Sequence, residues 1–234
     1  MKFSTFLFLG LLVISSAHIY AFEEMSRPYY TVYFAGALFN HKDLVGNLAI
    51  AQALETESDG TIKCCLPQEA SKHVAFSSSR DIRDHCIQSL LECDMAIFNF
   101  DGADLDSGTV AEFMIAKMLD IPCVVLRTDF RSAGDQEEKA DQWNLMCSGY
   151  PRSITVSGNI MALYNTHGIH DMYTILGQTL VFALGKAFEQ TTIFDSEKEL
   201  LKAYRHVIKA CNLPTIKTED LSLIVRSKIE KGVY

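Results

Sequence analysis

Residues 95–126 read MAIFNFDGADLDSGTVAEFMIAKMLDIPCVVL, and the fold turns on how they divide. Met95 to Phe100 is a continuous apolar run of strand length, and Cys123 to Leu126 is another. Between them, Thr109 to Leu119 carries apolar side chains at helical spacing and stops before Pro122, which cannot continue a helix. Strands that are apolar throughout belong inside a sheet covered on both faces, and a strand–helix–strand unit of about 30 residues makes such strands parallel.

The same alternation extends in both directions. Tyr29 to Phe34 is a strand ending at Ala35-Gly36, Leu44 to Leu54 has helical spacing, and Thr61 to Leu66 is a strand stopped by Pro67. Arg80 to Cys93 places Ile82, Cys86, Ile87, Leu90 and Leu91 at helical spacing. Downstream come a weak strand at Ser153 to Val156 and helices over Asp171 to Phe188, Glu197 to Ala210 and Leu221 to Ile229, with a polar surface segment at Asp129 to Trp143. The expected architecture is α/β, a parallel sheet with helices on both faces and a helical C-terminal extension over residues 191–234. In such sheets ligands sit beyond the carboxyl ends of the strands.

Composition narrows the function. With 48% hydrophobic residues the 234-residue chain has the apolar surface for a large core, which excludes a disordered protein. Its 29 acidic against 21 basic residues, without a basic block, exclude nucleic acid as a partner, because phosphate backbones are bound by clustered Lys and Arg.

Lys2, the apolar run Phe3 to Ala17 and the small residues Ser15, Ser16, Ala17 and Ala21 have the layout of a secretory signal peptide over residues 1–21. The same run also reads as an uncleaved anchor or a buried first helix. The leader directs the chain to the secretory pathway; unused, it leaves the chain cytoplasmic. The seven cysteines have no disulfide spacing and sit in apolar stretches, which suits a reduced interior instead.

Chemistry concentrates between the third strand and its helix. Asp101, Asp104, Asp106 and Glu112 fall within twelve residues, and carboxylates meeting in one pocket can divide the roles of nucleophile and acid. Glu112 is placed in about the first helical turn, where the dipole favours an anion. A plainer reading makes Thr109-x-x-Glu112 a capping box, with Asp106 or Ser107 as the cap. His167-x-x-His170 has no thiolate or carboxylate at matching spacing, so neither metal nor cofactor is expected.

At these residues the sequence resembles the nucleoside 2-deoxyribosyltransferase family, over about residues 29–165. The matching segments are Tyr33-Phe34-Ala35-Gly36-Ala37-Leu38-Phe39-Asn40, Leu66-Pro67-Gln68, Cys93-Asp94, Asp106-Ser107-Gly108-Thr109-x-x-Glu112 and Asn144-Leu145-Met146. The resemblance implies a flavodoxin-like or Rossmann-like fold, with a catalytic domain over residues 22–190. It also implies a retaining transfer of deoxyribose between nucleobases, or to water, through a deoxyribosyl ester on Glu112. Asp106 would bind and polarise the substrate. Tyr33, Phe34, Ala35 and Gly36 would line the floor, with Phe39 adding aromatic surface, and Gln68 would approach the base. Ser107 and Gly108 would join the substrate site, and Asn144 would reach the sugar in a neighbouring subunit of a homo-oligomer. The implied ligands are a deoxyribonucleoside and a free nucleobase.

One position departs from the pattern. Where the family commonly has an aspartate that helps protonate or orient the base, this chain has Cys86; the nearest carboxylates are Asp84 and Asp81, and either Asp84 serves as the catalytic acid or the leaving base is protonated otherwise. Two other readings follow: a 2'-deoxynucleoside 5'-phosphate N-hydrolase, with a phosphate cradle at Ser77 to Arg80, and a non-catalytic nucleotide-binding module of the same fold.

Overall fold

The computed structural model describes residues 29–70, 76–131, 134–137, 141–213, 216 and 218–234; the expected leader at 1–21 lies outside them. Five strands form the sheet: β1 (Tyr30–Ala35), β2 (Ile62–Cys65), β3 (Met95–Asn99), β4 (Cys123–Arg127) and β5 (Ser153–Ser157). All pair in parallel, in the order β2-β1-β3-β4-β5. This is the flavodoxin-like order, whose reversal point lies between β1 and β3 and opens a crevice at their carboxyl ends.

The helices are α1 (His41–Glu57), the single turn α2 (Pro67–Ala70), α3 (Ser79–Glu92), α4 (Ser107–Met118), α5 (Ile160–Phe188), α6 (Glu197–Ala210) and α7 (Thr218–Glu230), with a 3₁₀ turn at Leu145–Cys147. Strand alternation sends Val32 and Phe34 to one face of the sheet and Tyr33 and Ala35 to the other. Val32, Phe34, Ile97, Val124 and Leu126 pack against α1 and α5 through Ile50, Leu54, Leu176 and Leu180. Ala35, Phe98 and Val125 pack on the opposite side against α3 and α4 through Leu90, Leu91, Phe113 and Ala116.

The segment after residue 190 contributes to that second core. Leu200, Tyr204, Val207, Leu221 and Val225 lie in the same cluster as the sheet residues. Polar groups reinforce the attachment. Lys228 Nζ donates to the Cys93 carbonyl and, at 2.9 Å, to the Tyr204 hydroxyl, while Lys231 Nζ pairs with Asp94 at 2.8 Å. Asp94 is otherwise bound by the Thr31 amide and hydroxyl, so a buried carboxylate links the starts of β1 and β3 to the last helix.

One helix differs from its sequence-based expectation. The helical pattern suggested a start near Asp171, whereas α5 begins at Ile160, capped by Asn159, and is interrupted at Gly168. There φ is 75° and ψ 178°, a conformation glycine reaches without penalty, so two helical segments abut at one residue. Further along, an added Cβ at Gly177 would stand 2.8 Å from the Ala53 carbonyl oxygen, which shows how closely α5 lies on α1.

Candidate functional site

β1 and α4 bring the central pair together. The Tyr33 hydroxyl donates to Glu112 Oε1 at 2.7 Å, and Oε2 is left without a hydrogen-bond donor among the described residues. Burial raises the Glu112 carboxyl to about 7; the neighbouring charge of Asp106 adds to the rise and the Tyr33 hydrogen bond opposes it. Burial, then the charge of Glu112, pushes the Tyr33 hydroxyl well above its usual range, so it stays a donor. Cys86 reaches the same spot from α3 and contacts the Tyr33 hydroxyl; burial first and Glu112 second raise its thiol.

Glu112 sits in the second turn of α4, not the first, so the helix dipole contributes little to it. The cap is Asp106, whose Oδ2 accepts from the Thr109 amide and hydroxyl, each at 2.8 Å, and no Thr109–Glu112 capping box forms. Gly108 gives that carboxylate room, since a Cβ there would lie 3.2 Å from Asp106 Oδ2. Ser107 is exposed beside it at the helix start.

A cavity of about 240 Å³ adjoins the pair, lined by Tyr33, Cys65, Pro67, Glu69, His85 and Cys86 among others. Sites for drug-sized ligands run roughly 300–1,000 Å³, so this one has room for a ring system. Two of its lining residues, Tyr33 and Cys86, are those that interact with Glu112.

At the end of β1 the backbone is crowded. A Cβ on Gly36 would come within 3.1 Å of Asn99 Cβ and 3.2 Å of Asn47 Oδ1. Asn47 donates to the Ala37 carbonyl at 2.9 Å, and Asn99 Oδ1 accepts from the Asp101 amide at 3.1 Å, which fixes both loops of the crevice. Asp101 in turn binds the Thr128 hydroxyl at 2.6 Å and the Asp129 amide at 2.8 Å, tying the loop after β4 to the end of β3.

Four expected site residues, Phe34, Phe39, Asp84 and Gln68, are placed elsewhere. Phe34 is 1% exposed on the α1/α5 face, because consecutive strand residues point to opposite sides of the sheet. Phe39 is 80% exposed. Asp84 turns from the cavity to ion pairs with Arg80 and Arg83, the latter also donating to the Cys211 carbonyl. Gln68 donates to the Leu44 carbonyl at 2.8 Å and so ties α2 to α1. Asn144 caps the 3₁₀ turn through the Met146 amide at 2.9 Å, exposed beside Leu145 and Met146. Its loop rests on buried Trp143, which packs edge-on against Phe100.

His85, Asn47 and Asn99 went unnoticed in the sequence. Asn47, a polar residue at a buried position of a helix, was the readable signal among them. Cys64 and Cys65 line the cavity, and all seven cysteines are free thiols.

A carboxyl raised by burial has a consequence for stability. The folded state keeps a proton on Glu112 that the unfolded chain releases, so this group's contribution falls as pH rises from about 4.5 to about 7. Glu112→Gln removes that loss. We expect the variant to exceed the wild type by about 1–3 kcal/mol at pH 8 and to match it at pH 4. Urea unfolding at the two pH values measures this; equal differences at both would contradict a raised carboxyl.

Residues 32–146 match the family model described as Nucleoside 2-deoxyribosyltransferase. Among solved structures, a conserved protein from Enterococcus faecalis V583 is 24% identical, covering 76% of this chain and 98% of its own, with a TM-score of 0.42. The 2-deoxyribosyltransferase from Bacillus psychrosaccharolyticus is 18% identical, with 55% and 85% covered and a TM-score of 0.42. The 2-desoxiribosyltransferase from Leishmania mexicana is 20% identical, with 60% and 99% covered and a TM-score of 0.44. No curated protein matches the chain.

Proposed function

The chain belongs to the nucleoside 2-deoxyribosyltransferase family, and from that premise we propose that it cleaves the N-glycosidic bond of 2'-deoxyribonucleosides and passes the sugar to another nucleobase or to water. The observation that carries this reading is the Glu112 carboxylate, held on Oε1 by Tyr33, with no donor to Oε2 among the described residues, next to a ring-sized cavity that Tyr33 lines. Oε2 attacks C1', the base leaves, and a deoxyribosyl ester remains on Glu112 until a second base or water displaces it. Two displacements at one carbon give overall retention. A 2-deoxy sugar lacks the electron-withdrawing 2-hydroxyl and forms its oxocarbenium-like transition state readily, so a positioned carboxylate and a proton donor suffice.

The charges favour a nucleoside over its 5'-monophosphate. Asp106 and Glu112 place two carboxyl groups at the site, and Arg80, expected in a phosphate cradle, is bound to Asp84 and the Asn212 carbonyl. Ser77 is likewise taken up by Asp81. The active form in this reading is a homo-oligomer in which exposed Asn144, flanked by Leu145 and Met146, completes a neighbouring site.

Mass spectrometry after acid quenching of the protein with deoxyadenosine is expected to show one added deoxyribosyl unit, mapped to Glu112. Neither adduct nor turnover with any of the four common deoxyribonucleosides would remove the proposal. Preferential cleavage of the 5'-monophosphates would replace it with the N-hydrolase reading.

A further inference from the structure

When a C1'–N bond breaks, its electron pair stays on the base, and at neutral pH the departing base needs a proton. Glu112 cannot give it, since its oxygen bonds to C1'. The Tyr33 hydroxyl is directed at Glu112, and the Cys86 thiol holds its proton tightly, being raised by burial and by the charge of Glu112.

α3 offers a different group. Residues 85, 86 and 89 fall on one helical face, and all three line the cavity. The ring of Phe76 packs against the His85 imidazole, centroids 5.3 Å apart and planes inclined by 56°. Facing groups across the cavity are Tyr33 from β1, Cys64 and Cys65 from β2, and Glu69 from α2, whose carboxyl group adds negative character. Imidazole is the side chain best suited to give a proton in one step and take one back in the next at neutral pH.

Resting on the function proposed above, we infer that His85 protonates the departing nucleobase and recovers the proton from the incoming one. In the first half-reaction the imidazolium N–H proton passes to a ring nitrogen of the base, or to the pyrimidine carbonyl oxygen. The electron pair of the broken bond stays on the base, which departs neutral, and Glu112 Oε2 bonds to C1'. In the second half-reaction the neutral imidazole takes the N–H proton of the acceptor base as its nitrogen displaces Glu112. Cys86, beside His85, supplies shape and a contact to Tyr33 rather than the proton.

The test compares two leaving groups in the wild type and in His85→Gln. Deoxyadenosine needs a proton to leave; 7-methyl-2'-deoxyguanosine already carries the positive charge and does not. H85Q is expected to lower kcat/KM for deoxyadenosine by about 10²-fold and to leave 7-methyl-2'-deoxyguanosine within about threefold. Equal loss with both substrates, or loss with neither, overturns the role of His85. Failure of the wild type on both substrates counts against the function itself. Should thermal melting show H85Q to be unfolded, His85→Asn carries the same comparison.

Discussion

Glu112→Ala is expected to lower deoxyribosyl transfer by 10²-fold or more, and to abolish the covalent adduct, while leaving the chain folded. The size follows from its place in the reaction. No other described carboxylate shares its bond to Tyr33, and the neighbouring one, Asp106, is committed through Oδ2 to the start of α4. The pH profile sharpens the test. The nucleophile must be ionised, so with 7-methyl-2'-deoxyguanosine, whose base leaves without a proton, kcat/KM of the wild type should rise with pH and level off above about 7, where Glu112 has lost its proton. Tyr33→Phe removes the hydrogen bond that stabilises the carboxylate, so the rising limb should move to higher pH. A rate for Glu112→Ala within about tenfold of wild type removes Glu112 from the mechanism. A flat profile between pH 5 and 8 argues that some other step limits the rate or that the carboxyl is not raised.

The largest expected loss of stability lies away from the chemistry, at Arg152. This side chain is 1% exposed, at a positive φ of 51° just before β5. Its guanidinium donates to the Asp120 carbonyl at 2.9 Å, lies 3.4 Å from Asp120 Oδ2, donates to the Val233 carbonyl and stacks 5.5 Å from the Tyr234 ring centroid. Asp120 is equally buried, with Oδ1 unpartnered among the described residues. Arg152→Met leaves that carboxylate without its cation and unties three parts of the chain. Removing one partner of a buried ion pair costs about 3–5 kcal/mol, which for a domain of this size lowers the melting temperature by roughly 10 °C. Calorimetry measures it, and a shift under about 2 °C would show that water reaches Asp120. The double variant Arg152→Met/Asp120→Asn should recover part of the loss, since no uncompensated charge then remains.

Local pattern carried most of the architecture. The strands β1, β3 and β4 are short apolar runs bounded by Gly or Pro, and their parallel pairing follows from the helical segments between them. Where pattern failed, direction was at issue. Phe34 and Tyr33 are adjacent and both aromatic, yet the pleat sends one into the core against α1 and the other to Glu112. Asp84 and Cys86 are two residues apart on α3, which at about 100° per residue places them on opposite sides of the helix; Asp84 therefore meets Arg80 and Arg83 while Cys86 meets Tyr33. The same phase puts His85 and Ser89 on the cavity side. Interruption at Gly168 was hidden because the apolar spacing weakens where the two helical segments of α5 join.

The contact between Asp94 and Lys231 spans 137 positions of sequence, and it bears on how the protein is made. At translation speeds of roughly 5–20 residues per second, Asp94 leaves the ribosome on the order of ten seconds before its cation is synthesised. During that interval the start of β3 holds a carboxylate whose buried position is satisfied only by Thr31, while Cys93 and Tyr204 await Lys228. The Asp94–Lys231 pair can therefore form only once nearly the whole chain has been made, and its contribution to the sheet comes last.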